Sequence, residues 1–277
     1  MIDPAALAAL DALATNHLAR RDGLVVLGLS GAQGSGKSTL AAELHRRFAA
    51  RGVATAILSL DDLYHTLAER QRLARAVHPL LITRGVPGTH DVALGLATIA
   101  ALARGEAAPL PRFDKARDDR RPAAAWDRAP PRTRLLLFEG WCLGARPQDE
   151  AALAVPINAL EAQEDGDGRW RRHVNAALAG DHAALWARID ALAMLRAPDF
   201  ATVAAWRGEQ EEALRQRQGG GPGIMDGPAL ARFVAHYERI TRHLLADLPD
   251  RADCVLALDV RRRVTATLMR ESGPPRA

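Results

Sequence analysis

One stretch of this chain, residues 24–40, constrains the fold more than any other because it joins a strand pattern to a helix pattern through glycines. It reads LVVLGLSGAQGSGKSTL, in which Gly31, Gly36, Lys37 and Ser38 fit the P-loop spacing G-x-x-x-x-G-K-[ST]. An apolar run precedes the glycines, and an Ala/Leu/Glu pattern of helical period follows them. This strand-to-helix context predicts an α/β fold with a phosphate-binding loop.

Each residue type in this loop suits the binding of a nucleoside triphosphate. Glycines let the backbone curl so that its N–H groups point inward and form an anion-binding nest at the start of a helix. Lys37 would reach the β- and γ-phosphates, and the Ser38 hydroxyl would ligate Mg²⁺. The alternative is a glycine-rich turn without a ligand. The expected nucleotide-binding residues are Gly31, Ala32, Gln33, Gly34, Ser35, Gly36, Lys37, Ser38 and Thr39.

Length and composition favour a water-soluble protein. The 277 residues can form one large α/β domain with insertions or two small domains, and no apolar run approaches the roughly 20 residues of a membrane span. Residues 1–20 contain Asp3 and Asp11 and lack the pattern of a signal peptide. The two cysteines, Cys142 and Cys254, do not form a disulfide framework. We therefore expect a cytoplasmic protein without a membrane partner.

The charge pattern argues against a nucleic-acid partner. The pI is about 9.6 and the net charge +4, but basic and acidic residues are interspersed, without aromatic–basic interleaving. Lys37 and Lys115 are the only lysines, and every other basic residue besides histidine is arginine. Because one of these lysines belongs to the P-loop, the other is a candidate for a functional role. The sequence carries no signal for an oligomeric state.

Helix and strand patterns alternate along the chain, as in a doubly wound sheet. We expect a single domain over 1–277, in which 147–180 is a helical insertion and 206–226 a lid region. The run GGGPG at 219–223 indicates a mobile hinge within that lid. The predicted helices are 3–20, 38–50, 91–104, 199–216 and 226–246. The predicted strands are 24–29, 53–60, 134–138 and 253–259, with 185–195 ambiguous but closer to a strand.

Polar residues cluster where two of the predicted strands end. Asp61-Asp62-Leu63-Tyr64 follow the second strand, and Glu139-Gly140-Trp141 follow the third. Ligands bind at the carboxyl ends of strands in such sheets. Two further segments, RGVPGTHD at 84–91 and LPRFDKAR at 110–117, are too polar and turn-rich for a core. These four segments are therefore the candidates for the acceptor site.

Taken in order, the P-loop, the strand-end DDLY, RGVPGTHD, PRFDKA and FEGW resemble the D-glycerate 3-kinases. This family is similar to phosphoribulokinase, uridine kinase and pantothenate kinase. The resemblance extends to PINALE in the insertion, to GGGPGIMD and to FVAHYERIT. It implies transfer of the ATP γ-phosphate to the 3-hydroxyl of D-glycerate, on a three-layer P-loop fold with a mostly parallel sheet and a mobile lid. Leu63, Cys142 and the sequence GIMD at 223–226 depart from the residues common in the family.

The resemblance gives the first strand-end carboxylate, Asp61, the role of general base toward the acceptor hydroxyl. The adjacent Asp62 would then cap a helix or support the site, although either aspartate could simply be a helix cap. Tyr64 is a substrate wall or a packing residue. Glu139 is expected to act on Mg²⁺ directly or through water, with a solvated strand-end residue as the alternative. Trp141 is expected to contact the substrate.

Three cations compete for the carboxylate of an acidic acceptor. Arg84 suits a bidentate clamp, and Arg112 and Lys115 are its rivals. In the same loop as Arg84, His90 is either a substrate ligand or a hydrogen-bonding turn residue. Asp91 is expected at the site and also as the N-cap of the following helix.

The lid region supplies the last catalytic candidate. Arg215 and Arg217 lie shortly before the glycine hinge, where an arginine could stabilise charge on the transferring phosphoryl group, and Arg215 is the catalytic candidate. The alternative is an exposed helix face on which Glu211 pairs with Arg215. The function could also be phosphorylation of another small alcohol, such as uridine, pantothenate or a sugar phosphate. An Asn-Lys-x-Asp guanine site is excluded because neither lysine follows an asparagine.

Overall fold

The computed structural model describes residues 3–218 and 225–270 of the chain. The helices in these ranges are α1 (Pro4–Ala19), α2 (Lys37–Ala50), α3 (Leu67–Ala76), α4 (Val92–Ala103), α5 (Glu150–Leu153), α6 (Ala159–Glu164), α7 (Arg169–Ala177), α8 (Ala183–Trp186), α9 (Phe200–Gln218) and α10 (Gly227–Asp247). The strands are β1 (Val25–Gly31), β2 (Thr55–Ser59), β3 (Pro109–Leu110), β4 (Phe113–Asp114), β5 (Asp119–Arg120), β6 (Asp127–Arg128), β7 (Leu135–Gly140), β8 (Ala191–Arg196), β9 (Cys254–Leu258) and β10 (Val264–Met269).

Six of these strands form one sheet in the order β10-β9-β8-β1-β7-β2. All neighbours pair in parallel except β10, which runs antiparallel to β9. Parallel neighbours need long crossovers, and the helices between the strands supply them. The mostly parallel α/β sheet predicted from the sequence is therefore confirmed.

Helices cover both faces of the sheet, so the central strands have no solvated side. Every residue of β1 and β7 is buried, which explains why both strands begin as apolar runs. One core packs Leu10 of α1 and Leu44 and Phe48 of α2 against the sheet. A second core, on the other face, includes Ile99 of α4 and Phe138 of β7. This arrangement makes the three layers and leaves the carboxyl ends of the strands open for a site.

Two helix boundaries follow from local chemistry that is visible in the sequence. Gly52 has φ of +75° directly after α2, a conformation that glycine adopts readily. The Asp91 side chain accepts a hydrogen bond from the Leu94 amide at 3.0 Å and thereby caps α4. Both boundary predictions are confirmed.

The segment 185–195 does not form the single strand that its alternating pattern favoured. It begins with the end of α8 and enters β8 only at Ala191. Ile189 is buried in the turn that connects the two elements, so burial continues across the change from helix to strand. The alternating pattern of this short Ala-rich run therefore hid the change from the helical period of α8 to the strand period of β8.

Strand β10 was not expected, because it carries almost no burial signal. Five of its six residues are exposed, so the strand lacks the apolar alternation of a half-buried edge. It follows a tight turn at Arg261 and Arg262, and Arg262 has φ of +64°. Arginine is not a typical residue at positive φ, so the sequence gave no turn signal there.

The segment predicted as a helical insertion contains α5, α6 and α7 and packs on α10. Arg239 of α10 forms hydrogen bonds of 2.8 and 2.6 Å to the two carboxylate oxygens of Glu161 in α6. The same guanidinium donates to the carbonyls of Ala152 and Val155. The insertion is therefore fastened to the helix that follows the predicted lid.

Of the predicted lid region, residues 206–218 belong to α9, while the glycine hinge at 219–223 lies outside the described residues. Among the helices in the described ranges, none combines the length and the apolar character needed to span a membrane.

Candidate active site

The P-loop forms the floor of the site, between β1 and α2. Gly36, at φ of +93°, is the N-cap of α2, and the helix begins at Lys37. Gly34 has φ of +80°, and a Cβ on it would lie only 2.8 Å from the Trp206 Cβ of α9. Glycine is therefore required at this position both by backbone conformation and by the close approach of α9. The amide groups at the start of α2 are available to an anion.

Glu139 lies beside the P-loop because β7 pairs with both β1 and β2. The Ser38 and Ser59 hydroxyls each donate a hydrogen bond of 2.9 Å to its Oε1 atom. Lys37 Nζ lies 3.9 Å from its Oε2 atom. That Oε2 atom is buried and finds no hydrogen-bond partner among the described residues. An unsatisfied buried carboxylate oxygen beside two hydroxyls is a donor set that suits Mg²⁺. Ser59, which ends β2, was not singled out in the sequence.

Asp61 stands in a 3₁₀ turn, Leu60–Leu63, directly after β2. The Tyr64 hydroxyl donates to its Oδ1 atom at 2.7 Å, and Lys115 Nζ lies 2.7 Å from its Oδ2 atom. Burial raises the pKa of Asp61, but the charges of Lys115 and Lys37 outweigh burial and hold this pKa well below its usual range. Asp61 is therefore a carboxylate at neutral pH.

Asp62 points away from Asp61 and holds the segment that carries Lys115. Its Oδ1 atom accepts from the Phe113 amide at 2.9 Å, and its Oδ2 atom accepts from Arg112 at 3.2 Å. Burial raises the pKa of this carboxyl, and the Phe113 amide opposes that effect. Asp62 thus supports the β4–β5 hairpin and caps no helix. Arg112 also binds Asp127 at 2.9 Å, so this cation is engaged away from the cavity.

Arg84 reaches the site from the loop before α4. Its guanidinium pairs with Asp118 and lies 5.5 Å from the centre of the Phe113 ring. Its carbonyl accepts a 3.1 Å hydrogen bond from the Tyr237 hydroxyl of α10. A Cβ on the next residue, Gly85, would lie 2.0 Å from that hydroxyl, and Gly85 has φ of +136°. The loop can therefore pass under α10 only with glycine at this position.

These elements enclose a cavity of about 490 Å³ between the P-loop, the ends of β2 and β7, and the α9–α10 pair. Positive side chains outnumber negative ones in its wall, which suits polyanionic ligands. The lining residues are Gln33, Lys37, Asp61, Tyr64, Arg84, Lys115, Trp141, Arg207, Glu209, Gln210, Ala213, Phe233, Tyr237 and Arg262. The cavity thus brings together residues from eight separate sequence segments.

His90 and Asp91 do not belong to this lining. The His90 ring lies 4.8 Å from the Tyr64 ring, and its Nδ1 atom lies 3.3 Å from Nε2 of His182. Burial lowers the pKa of His90 well below its ordinary value, so the ring is neutral. Asp91 caps α4 and forms a 3.0 Å ion pair with Arg120. Both residues pack behind Tyr64 and do not face the cavity.

The arginine from α9 that faces the cavity is Arg207. It forms a 2.8 Å ion pair with the buried Glu211 and lies 5.4 Å from the centre of the Phe233 ring. Arg215 is exposed and pairs with Glu212 at 2.7 Å and with the Met225 carbonyl at 3.1 Å. Sequence reasoning missed Arg207, although its spacing of four residues from a glutamate was visible.

Three more lining residues, Phe233, Tyr237 and Arg262, were not predicted as site residues because they are distant in sequence from the P-loop. Phe233 and Tyr237 of α10 lie within the segment FVAHYERIT, whose resemblance was noted without assigning roles. Arg262 donates to the Gly34 carbonyl at 2.6 Å and to Glu209 at 2.6 Å. It therefore connects the turn after β9 to both the P-loop and α9.

A second cavity of about 340 Å³ lies on the other side of the P-loop. It is less polar than the first and is bounded by the P-loop helix, α1 and the turn after β9. Its lining residues are Asp3, Ala6, Ser35, Gly36, Thr39, Leu40, Leu195, Leu258, Arg262 and Val264. Because Arg262 lines both cavities, the two spaces adjoin at the P-loop.

No protein-family model matches this chain, but similar proteins are found. The chain is 36% identical over 222 residues to a Schizosaccharomyces pombe protein named uncharacterized kinase mug58, a match that covers 76% of this chain and 78% of that protein. It is 32% identical over 252 residues to the chloroplastic D-glycerate 3-kinase of Arabidopsis thaliana. That match covers 85% of this chain and 52% of the plant protein, so this chain spans about half of the plant protein's length.

Solved structures share the fold. A D-glycerate 3-kinase from Cryptococcus neoformans superposes with a TM-score of 0.80 at 24% identity, over 96% of this chain and 99% of that chain. The protein YGR205w superposes with a TM-score of 0.72 at 24% identity, over 91% of each chain. At this level of identity the likeness concerns the fold alone.

Proposed function

Because the chain belongs to the D-glycerate 3-kinase family of P-loop kinases, we propose that it transfers the γ-phosphate of ATP to the 3-hydroxyl of D-glycerate. The product is 3-phosphoglycerate. The observation that carries this proposal is the shared cavity, in which P-loop Lys37, strand-end Asp61 and the cations Arg84 and Lys115 line one space. Phosphoryl transfer depends on such positioning and charge neutralisation more than on covalent chemistry.

Asp61 is the proposed general base. The acceptor oxygen forms a bond to the γ-phosphorus, the bond from that phosphorus to the β–γ bridging oxygen breaks, and ADP leaves. The hydroxyl proton passes to the Asp61 carboxylate, which is ionised because its pKa is depressed. Lys37 neutralises charge on the β- and γ-phosphates. The remaining P-loop residues from Gly31 to Thr39 cradle the phosphates through the backbone.

Arg84 and Lys115 are the proposed contacts of the glycerate carboxylate. Both line the cavity, whereas Arg112 is held by Asp62 and Asp127 outside it. Tyr64 and Trp141 supply the walls of the acceptor pocket. His90 and Asp91 have no proposed contact with the acceptor, because neither lines the cavity.

We propose Arg207 for the stabilisation of charge on the transferring phosphoryl group. It lines the cavity from α9, the helix that enters the predicted lid region. The earlier candidate, Arg215, is engaged with Glu212 and the Met225 carbonyl at the surface.

Mg²⁺ fits the group of oxygen atoms around Glu139. Ser38 and Glu139 would hold it, with Ser59 supporting the carboxylate, and the unsatisfied Oε2 atom supplies the missing donor. When bound, the ion neutralises phosphate charge. The less polar second cavity, beside Ser35 and Thr39, is the proposed site of the nucleotide base.

The proposal is tested by measuring kcat/KM with ATP and Mg²⁺ for D-glycerate, L-glycerate, uridine, pantothenate and ribulose 5-phosphate. D-glycerate is expected to exceed the other acceptors by at least about tenfold, a difference of about 1.4 kcal/mol in transition-state stabilisation. Lys37→Ala should bind little ATP and show no turnover while keeping its far-UV circular dichroism. Equal activity of this variant would remove the P-loop assignment. Preference for another acceptor would replace D-glycerate by that small alcohol.

A further inference from the structure

The charged groups of the acceptor pocket neutralise one another in two pairs. Asp61 is bound by Lys115 through one carboxylate oxygen and by the Tyr64 hydroxyl through the other. Arg84 is bound by Asp118. In this arrangement the proposed base and both proposed carboxylate contacts, Arg84 and Lys115, already have protein partners.

A single short turn supplies one partner to each pair. Lys115 and Asp118 both lie between β4 and β5, four residues of chain that separate Asp114 from Asp119. The ends of the turn are held firmly: Asp62 binds the Phe113 amide, and the buried Arg70 contacts Asp118 through its carbonyl and its carboxylate. The turn therefore presents Lys115 to Asp61 from a fixed base.

Lys115 itself remains accessible. Its side chain is 61% exposed, whereas that of Asp61 is 32% exposed. A flexible ammonium group at this degree of exposure can exchange one carboxylate partner for another, because a second anion competes with Asp61 for the same charge. An incoming carboxylate is such an anion, whereas water or a neutral alcohol is not.

The Lys115 contact also makes Asp61 a poorer proton acceptor. Burial raises the pKa of Asp61, but the nearby Lys115 and Lys37 charges more than offset this and keep the pKa low. General-base catalysis weakens as the pKa of the base falls below the working pH. Loss of the Lys115 contact would both vacate one carboxylate oxygen and make Asp61 more basic.

On the premise of the proposed kinase function, we propose that Lys115 is an anion-sensing specificity residue. It holds Asp61 inactive until a negatively charged acceptor draws the ammonium group away. The substrate class is then a small alcohol that carries an anionic group within a few bonds of the reacting hydroxyl. Neutral alcohols and water leave the Lys115–Asp61 pair intact, which protects ATP from wasteful hydrolysis.

The reaction that the Lys115–Asp61 pair suppresses is the hydrolysis of ATP. A water oxygen attacks the γ-phosphorus, the bond to the β–γ bridging oxygen breaks, and ADP and inorganic phosphate form. The water proton passes to Asp61 and then to solvent. With an anionic acceptor the same bonds break and form, except that the acceptor oxygen replaces that of water.

The first test uses the wild-type chain and no acceptor. Propionate carries a carboxylate but no hydroxyl, and propionamide is its neutral counterpart. Propionate is expected to raise the rate of ADP release from MgATP about tenfold, because it draws Lys115 away from Asp61, while propionamide leaves the rate unchanged. Equal rates with the two compounds would overturn the proposal.

The second test removes the sensor. Lys115→Met should release ADP without any anion at about the rate that propionate produces in wild type, and propionate should no longer stimulate it. Its kcat/KM for D-glycerate should fall about 100-fold because a charge-assisted contact to the substrate is lost. If kcat/KM for D-glycerate falls but the rate of ADP release without an acceptor does not rise, Lys115 only binds substrate. The proposal would then be wrong.

Two further variants serve as controls. Arg117→Met changes a cation of the same turn whose side chain is 85% exposed and 4.0 Å from its nearest carboxylate oxygen, on Asp114. It should keep the wild-type rates. Lys115→Arg retains a positive charge and should keep ADP release low, and release as fast as in Lys115→Met would overturn the role of charge. Binding of a fluorescent ATP analogue shows that each variant is folded. Because neither hydrolysis assay contains D-glycerate, these outcomes are independent of acceptor identity.

Discussion

Two adjacent aspartates, Asp61 and Asp62, have different proposed roles because their environments differ. Asp61 faces the cavity, and neighbouring lysine charges keep its pKa low despite burial. Asp62 is turned toward the β4–β5 hairpin, where burial raises its pKa and the Phe113 amide binds it. Removal of one carboxylate should therefore affect the chemical step, and removal of the other the placement of Lys115.

Asp61→Asn is expected to lower kcat by about 10²–10⁴-fold, the usual contribution of a positioned base, with little change in the KM for ATP. Asp62→Asn should lower the melting temperature and raise the KM for the acceptor, because the hairpin that carries Lys115 loosens. Steady-state kinetics and thermal unfolding of both variants provide the check. A larger loss of kcat in Asp62→Asn than in Asp61→Asn would show that the general base has been assigned to the wrong aspartate.

The two arginines of α9 allow a matched comparison. Arg207 lines the cavity, whereas Arg215 lies at the surface with Glu212. Arg207→Ala is expected to lower kcat by about 10²-fold or more, because a cation near the transferring group is lost. Arg215→Ala should keep kcat within about twofold, as for other exposed ion pairs. The reverse order in single-turnover rates would return the role to Arg215.

At the scale of elements, α10 links the insertion to the site. Its Tyr237 hydroxyl contacts the loop of Arg84, and the same helix packs against α6 and α9. The buried ion pair between Arg239 and Glu161 fixes α10 against the insertion. Stability of the insertion and geometry of the acceptor pocket are therefore coupled through one helix.

Breaking that pair should destabilise the protein strongly. Arg239→Ala leaves the Glu161 carboxylate buried without its partner, and we expect a loss of about 3–5 kcal/mol in the free energy of unfolding. The matched control is Arg232→Ala on the same helix, whose ion pair with Glu164 is exposed and should contribute less than about 1 kcal/mol. Urea titrations measure the free energy of unfolding of both variants. Equal losses in Arg239→Ala and Arg232→Ala would contradict the role of the buried pair in fixing α10 to the insertion.

At the scale of the whole molecule, a pair of buried neutral histidines makes stability depend on pH. Burial lowers the pKa of His182 from 6.5 to about 4, and burial likewise lowers that of His90. Between pH 6.5 and about 4, His182 binds a proton in the unfolded chain but not in the folded protein. The contribution of neutral His182 to the free energy of unfolding is therefore full above pH 6.5 and is lost as pH falls toward 4. Acidification should therefore favour unfolding.

The expected loss from His182 alone is about 2 kcal/mol between pH 7 and pH 5. Urea titrations at the two pH values measure it. In His182→Gln the difference between the two pH values should shrink by that amount, because glutamine does not titrate. An unchanged pH dependence in this variant would show that His182 is protonated equally in the folded and unfolded states.

The sequence predicts those parts of the molecule whose signals are local. The P-loop, the buried strands and the Asp91 cap each depend on neighbours within a few residues, so pattern and turn chemistry were sufficient. Arg207 and Tyr237 could not be placed, because only tertiary packing brings α9 and α10 over the strand ends. For the same reason the sequence could not tell which of Arg84, Arg112 and Lys115 face the cavity. The partners that engage Arg112 lie 50 and 15 residues away.

The measurement that tests the central claim most directly is the position of the phosphate in the product. The chain is incubated with ATP, Mg²⁺ and D-glycerate, and two-dimensional ¹H–³¹P NMR identifies the carbon that bears the new phosphate. The account predicts phosphate on the 3-hydroxyl with stoichiometric ADP. Phosphate on the 2-hydroxyl, or ATP binding without any phosphorylated glycerate, would contradict it.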